Sequence, residues 1–171
     1  MIRKLLYSIL SLLLAISGIF FCSCTNTDSC YKLNGEFFIE HAEWVSDELS
    51  FESMGYFRMF GKMKINGEEI EVIVVIHSST WSGIIYKLSD FSEDMIETIK
   101  NPEQLENTNR FTDYVRDNRI EPIYTFKYST KWTEPVRVEI TFNRYPVNDV
   151  EGIPDKSGET IVLTRQDVTP A

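Results

Sequence analysis

The alternation of apolar and polar residues predicts a chain built mainly of β-strands. Between residues 55 and 78, this alternation runs on both sides of the pair Asn66-Gly67. Asn-Gly is the preferred pair for a two-residue type I′ turn, because both central positions need positive φ. The segment is therefore predicted to form a tight hairpin in which Ile65 faces Glu68.

The register of this hairpin follows from the turn and can be checked against the pairs that it creates. Apolar residues then face apolar ones on one side, and basic residues face acidic ones on the other, each pair contributing roughly 0.2–1 kcal/mol. The pairs are Met63–Ile70, Met59–Val74, Phe57–Ile76, Lys64–Glu69, Lys62–Glu71, Phe60–Ile73 and Arg58–Val75. The last two place apolar residues on the otherwise charged face, so we expect a helix or a second sheet to cover the hairpin base.

Further alternating segments predict five more strands, at residues 36–44, 84–88, 120–131, 136–145 and 159–165. Residues 47–53 are interpreted as a polar connection. Between the strands at 120–131 and 136–145, charge and apolar matching favours Lys127 opposite Glu139 and Phe126 opposite Ile140.

One segment has clear helical spacing, with Phe91, Met95, Ile96 and Ile99 on a single face. Asp90 is the expected N-cap, because Glu93 follows three residues later as in a capping box, and Asn101-Pro102 ends the helix. Two interpretations remain for residues 103–119. The segment forms a second helix lined by Phe111, Tyr114 and Val115 and capped by Thr108 or Asn109, or it is a long loop over the sheet.

These elements predict a mainly β fold: an antiparallel meander of about seven strands, closed as a small barrel or folded as a sandwich, with one inserted helix. Residues 33–171 are long enough for a single domain with a real core. The layout, from Leu33-Asn34-Gly35 before the first strand to a last strand at 161–165, is similar to that of lipocalin-like lipoproteins.

The first 23 residues have a different pattern, in which Arg3 and Lys4 precede an apolar run of 17 residues, Leu5 to Phe21. This is typical of a secretory signal. The following Phe21-Cys22-Ser23-Cys24 resembles the lipobox of bacterial lipoproteins, in the relaxed form of Bacteroidetes-type envelope proteins.

That resemblance implies cleavage after Ser23, palmitate-type acylation of Cys24, and a lipid-attached tether at residues 24–32. The protein is then exported and held at the outer membrane, on its periplasmic or cell-surface side. Two alternatives remain open: ordinary signal-peptidase cleavage, and an uncleaved anchor, because 17 residues is at the lower limit of a membrane-spanning helix.

The three cysteines, Cys22, Cys24 and Cys30, all lie before the predicted domain. If Cys24 carries the lipid, Cys30 remains as an unpaired thiol; if Cys22 carries it, Cys24 and Cys30 can pair instead. No CxxC pair or histidine cluster accompanies them, so neither a zinc site nor any other cofactor is predicted.

The net charge of the chain narrows the range of molecules that are expected to bind it. The formal net charge is −9, and removal of the first 23 residues takes away Arg3 and Lys4 but no acid, which makes it −11. Nucleic acid is disfavoured as a partner, because phosphate contacts need Lys and Arg. The membrane is reached through the N-terminal lipid and not through a basic surface.

The sequence contains no recognisable group of catalytic residues. The segment 77–83 is the most site-like, with His77, four hydroxyl side chains and Trp81, but it lacks a GxSxG elbow. Acid pairs such as Glu93 with Asp94 or Asp113 with Asp117 have no defined separation in a pocket. We therefore predict no enzymatic activity and no catalytic residue.

The predicted function is a lipid-anchored envelope protein with a β-rich domain that binds a glycan, a small apolar ligand or another envelope protein. Trp81 and Trp132 are the candidate ligand contacts, because both fall in predicted loops. The alternatives are a structural subunit of a surface assembly, which an unpaired edge strand would favour, and an envelope hydrolase.

Overall fold

A computed structural model describes residues 42–53, 57–101, 109–131, 136–143 and 152–166. In it, eight antiparallel strands form a closed barrel in which each strand pairs with the next and the last pairs with the first. The strands are β1 (Ala42–Val45), β2 (Leu49–Ser53), β3 (Arg58–Ile65), β4 (Glu68–His77), β5 (Ser82–Lys87), β6 (Tyr124–Lys131), β7 (Arg137–Phe142) and β8 (Thr160–Gln166). The mainly β class is confirmed, and of the two closures predicted the chain adopts the barrel.

Strand β2 occupies the segment that the sequence pattern assigned to a polar connection, so that prediction was wrong. Leu49, Phe51 and Ser53 point inward and are buried, while Glu52 is exposed. β2 pairs with β1 and with β3, which raises the strand count to eight. The connection is only the short turn before β2, where the Ser46 hydroxyl accepts hydrogen bonds from the Glu48 and Leu49 amides.

The hairpin of β3 and β4 forms with the predicted register. Asn66 and Gly67 have φ of 53° and 84°, as a type I′ turn requires. Met63 lies opposite Ile70, and the register continues to Arg58 opposite Val75. On the outer face, Lys62 pairs with Glu69 at 2.9 Å, diagonally across the strands, and not with Glu71 directly opposite.

The barrel interior is filled by large apolar side chains that alternate along every strand. Gly83 on β5 lies opposite Phe126 on β6, and the missing side chain leaves the space that the Phe126 ring occupies. The buried interior residues are Trp44, Leu49, Phe51, Met59, Met63, Ile65, Val72, Val74, Ile76, Ile85, Ile123, Tyr124, Phe126, Tyr128, Val138, Ile140, Phe142, Ile161 and Leu163.

Two helices cover the outer face of β4 and β5, as the apolar outer residues of the hairpin predicted. They are α1 (Glu93–Lys100) and α2 (Asn109–Asp117), so the helical interpretation of residues 109–117 is confirmed. A short 3₁₀ helix, Leu88–Asp90, leads from β5 to α1. The outer core consists of Ile73, Val75, Tyr86, Phe91, Met95, Ile99 and Phe111.

The N-cap of α1 is Ser92 and not Asp90, which lies in the preceding 3₁₀ helix. The Ser92 hydroxyl accepts a hydrogen bond from the Met95 amide at 3.3 Å. The prediction of Asp90 was wrong because the helix begins two residues later, after Phe91 has turned into the outer core.

Replacement of Ser92 by alanine is expected to lower the free energy of unfolding by about 1 kcal/mol, the usual cost of a lost N-cap. Asp90→Ala is the matched control, and its cost is expected to stay below about 0.5 kcal/mol. Urea denaturation of both variants makes the comparison. Equal losses of stability for the two substitutions would contradict the assignment of Ser92 as the N-cap.

The register between β6 and β7 differs from the prediction by two residues. Lys127 lies opposite Thr141, and Phe126 lies opposite Phe142; Glu139 faces Ser129 instead. A shift of two keeps every side chain on its own face, so the alternation alone cannot distinguish the two registers.

The two rims of the barrel are different. The chain-end rim carries the start of β1, Ala42, and the end of β8, Gln166. The opposite hairpin rim carries the Asn66-Gly67 turn and is covered by residues 152–159. There the Asn66 side chain donates to the Gly152 carbonyl, and the Tyr124 hydroxyl donates to the Pro154 carbonyl at 2.8 Å.

Candidate functional site

Trp81, one of the two predicted ligand contacts, lies at the chain-end rim between β4 and β5. It has φ of 52° and is 37% exposed, the most exposed aromatic side chain among the large apolar residues of the described ranges. Its ring centroid is 5.8 Å from that of Tyr128, and its carbonyl accepts a hydrogen bond from the Tyr128 amide. The indole therefore packs with one side against the barrel and can offer the other to a ligand.

Trp132, the other predicted ligand contact, lies outside the described residues, as do Ser23 and Cys24 and both segments assigned to the leader and tether. Of the two tryptophans, Trp81 is the one with a described setting.

The hydroxyl-rich segment around Trp81 is a structural turn. Ser78–Thr80 form a 3₁₀ helix, and the hydroxyls of Thr80 and Ser82 are 2.7 Å apart. Partial burial lowers the pKa of His77, and the positive charge of Arg58 lowers it further. A catalytic base of the Ser-His-Asp type is held by a carboxylate, so the cationic neighbour of His77 is the opposite of that arrangement.

A concave surface lies outside the barrel, where the hairpin of β3 and β4 extends beyond β5. Pairing of β4 with β5 begins only at Val72 opposite Lys87. Residues 68–71 of β4 therefore project past the end of β5, and the chain turns away from them into the 3₁₀ helix and α1. The space between is a groove of about 600 Å³, which we call the hairpin groove; it is lined by Glu69, Ile70, Glu71, Lys87, Leu88, Ser89, Phe91 and Ile96.

One wall of the hairpin groove is apolar. Leu88 and Ile96 are partly exposed there, beside the buried Phe91 of the outer core. The partly exposed Ile70 adds apolar surface from the overhanging end of β4, where it packs against the barrel interior. Ile96 belongs to the predicted apolar face of α1, yet it stays partly open to solvent while Met95 and Ile99 are buried. The wall thus consists of apolar surface that the core leaves unburied, because β5 is too short to cover it.

The rim of the groove carries charges of both signs. Glu69 is held by Lys62, whose pKa is raised by the hydrogen bond to that carboxylate and by its negative charge. Within the described ranges, neither Glu71 nor Lys87 forms an ion pair or a side-chain hydrogen bond. Both charges therefore remain available to a bound molecule at the groove.

The sequence patterns assigned the lining residues to a hairpin and to a helix face but did not bring them together. The available signal was the unequal length of neighbouring strands: the pattern gives β4 about ten residues and its successor about five. Such a difference leaves one strand overhanging the other.

The described residues contain no group of three or more His, Cys, Asp or Glu side chains that could hold a metal ion. Among the helices of the described ranges, none is long and apolar enough to cross a membrane.

Comparison with known proteins gives no relative: no family model matches the chain, and no curated protein or solved structure matches it either. What this chain does must therefore be inferred from its own geometry.

Proposed function

We propose that the protein is a non-catalytic envelope lipoprotein, anchored through Cys24, whose barrel binds a small amphipathic ligand in the hairpin groove. The observation that carries the proposal is the groove itself, a concavity of about 600 Å³ with an apolar wall and a charged rim. Sites for small molecules typically measure about 300–1,000 Å³ and combine apolar walls with few polar groups.

The interior of the barrel is less suited to a ligand of this size. Trp44, Phe51, Phe126 and Phe142 fill it and are at most 2% exposed. In barrels of eight strands, the interior is only just wide enough for side chains or one small ligand. A ligand that entered would have to displace these residues, whereas the groove is already open.

The groove also suggests the chemistry of its ligand. Ile70, Leu88 and Ile96 are partly exposed to water, and an apolar ligand body would remove their surface from it. Glu71 and Lys87 stand at the rim and can pair with a cationic or an anionic head group. An apolar body with a charged head therefore matches the groove better than an uncharged glycan.

The proposal predicts that soluble six-carbon amphiphiles bind at the groove. Hexylamine and hexanoate would be titrated separately into the full protein, purified from its host and held in lipid nanodiscs. Methyl NMR shifts of Ile70, Leu88 and Ile96 are expected to saturate with one of the two head groups. The exposed methyls of Val162 on β8 are the internal reference. Intact mass spectrometry of the same preparation checks for an acylated chain beginning at Cys24.

Matched variants localise the binding. Ser89 and Ser79 are exposed middle residues of two 3₁₀ helices of three residues each, and only Ser89 lines the groove. Ser89→Trp is expected to fill the groove and weaken binding about tenfold or more, which corresponds to about 1.4 kcal/mol; Ser79→Trp should leave it unchanged. Unchanged binding in Ser89→Trp, or equal shifts at Val162, would contradict the proposal.

A further inference from the structure

A second feature lies on the outer face of the barrel at the chain-end rim, on the opposite rim from the hairpin groove. Arg58, the first residue of β3, extends over α2, and its guanidinium carbon lies 4.9 Å from the centre of the Phe111 ring. Cation–π contact with a ring face stabilises such a guanidinium. The side chain is thus held in place by packing and is only partly open to solvent.

Arg58 has no anionic partner in the part of the chain that the structure describes. Its Nε is buried and makes no hydrogen bond there, and no carboxylate forms an ion pair with it. Burial lowers the pKa of Arg58, because partial removal from water disfavours the charged form. Charges that are withdrawn from water are usually paired, so a partly buried guanidinium without an anionic partner in a chain of net charge −9 needs an explanation.

One other titratable side chain, His77, lies near Arg58 on the same face. Arg58 is opposite Val75, so His77 is its diagonal neighbour on β4. Ser82 is opposite His77, and Lys127 is opposite Ser82 on the next strand. Lys127 is thus three strands from Arg58, about 14 Å at the usual strand spacing, so we call Arg58 and His77 alone the cationic cluster. Beside His77, the Thr80 hydroxyl donates to the His77 carbonyl and lies 2.7 Å from the Ser82 hydroxyl.

We propose that the cationic cluster binds an oxyanion, a carboxylate or phosphate group of a ligand, with Arg58 as the principal donor. A guanidinium presents its N–H groups in a planar fork that matches two oxygens of such an anion. A bound oxyanion would give Arg58 the anionic partner that it lacks. It would also place negative charge beside His77.

The test uses His77 as a reporter, because the chain has only two histidines, His41 and His77. The pKa of each would be measured by NMR in the full protein, with inorganic phosphate or with acetate, against chloride at equal ionic strength. A nearby anion favours the imidazolium, so the pKa of His77 is expected to rise by about 0.5 or more on saturation. That of His41 serves as the internal reference.

Two variants separate binding from general screening. Arg58→Gln should raise the pKa of His77 without any added anion, because a positive neighbour is gone, and should abolish the further rise. Arg58→Lys keeps the charge but loses the fork, so the anion should bind more weakly. It also serves as the folded control if Arg58→Gln is unstable.

The two anions assign the ligand class: a response to phosphate alone or to acetate alone supports the proposal and names the group that is bound. Equal shifts of both histidines would overturn it, because they indicate bulk screening. A full phosphate response in Arg58→Gln would overturn it as well.

Discussion

Replacement of Gly83 by alanine is expected to lower the free energy of unfolding by about 2–3 kcal/mol, the upper part of the range for overpacked cores. Gly83 points into the barrel directly opposite Phe126. A Cβ built there would lie 2.6 Å from Cε2 of that ring, a distance that real side chains do not tolerate. The ring cannot retreat easily, because the space behind it is filled by other buried residues such as Tyr124 and Phe142.

A double-mutant cycle tests this cause. Phe126→Leu is itself destabilising, because it leaves a cavity, but it should reduce the additional cost of Gly83→Ala below about 1 kcal/mol. Gly61→Ala is the control. There the added Cβ meets Phe51 and the Ser50 carbonyl, so Phe126→Leu should not relieve its cost. Strictly additive costs for Gly83→Ala and Phe126→Leu would show that the ring is not the obstacle.

Alkaline pH is expected to destabilise the barrel strongly between about pH 10 and pH 12. Burial raises the pKa of Tyr124 to about 12, with nearby carboxylates adding to the rise and Lys156 opposing it. Burial also raises the pKa of Tyr128 to about 12. Both phenols ionise near pH 10 in the unfolded chain. Since the folded state holds these protons more tightly, their stabilisation is complete below pH 10 and is lost as the pH rises to 12.

The size of this loss follows from the difference between the folded and unfolded pKa of each tyrosine. When the two pKa values of a group differ by one, the free energy of unfolding changes by about 1.36 kcal/mol. After allowance for screening by solvent at the barrel rims, we expect each tyrosine to account for about 1–1.5 kcal/mol.

Lys156 contributes in the same direction. Burial disfavours its charge, but hydrogen bonds to Glu48 and Glu159 outweigh that effect and raise its pKa. Its stabilisation is therefore present below its unfolded pKa and is lost as the pH rises through the folded value.

Urea denaturation at a series of pH values measures the alkaline loss, and tyrosinate absorbance follows ionisation directly. In a double variant that carries both Tyr124→Phe and Tyr128→Phe, we expect the free energy of unfolding to fall much less steeply above pH 10. At neutral pH the free energy of unfolding of the double variant should still be lower than that of the wild type by about 1 kcal/mol or more. Part of this loss comes from the missing hydrogen bond between the Tyr124 hydroxyl and the Pro154 carbonyl. An unchanged alkaline slope in the double variant would assign the loss to other groups.

The hairpin of β3 and β4 shows how far the sequence can specify register. A two-residue turn leaves no freedom in the pairing, and the alternation on both strands agrees with it. β6 and β7 are joined by a longer connection, so their alternation allows registers that differ by two residues. Matching Lys127 to Glu139 by charge chose the wrong one, because surface charge pairs contribute little.

β2 was missed for a related reason. Its segment contains Glu48, Ser50 and Glu52, and only Leu49 and Phe51 give an apolar signal. The strand is stabilised by pairing with neighbours on both sides, which a local pattern does not contain. The same limit applies to the hairpin groove and the cationic cluster, since each joins residues from at least two strands, whereas the exposure of Trp81 could be anticipated from its loop alone.

The pairing of the first strand with the last has a consequence for the two candidate sites. β1 and β8 are antiparallel neighbours, and Glu43 lies opposite Gln166. The first strand therefore begins at the same rim at which the last strand ends. This is the chain-end rim, and the Asn66-Gly67 turn lies at the opposite rim. The cationic cluster lies at the chain-end rim and the hairpin groove at the opposite rim, so two ligands could approach from opposite directions without competing for space.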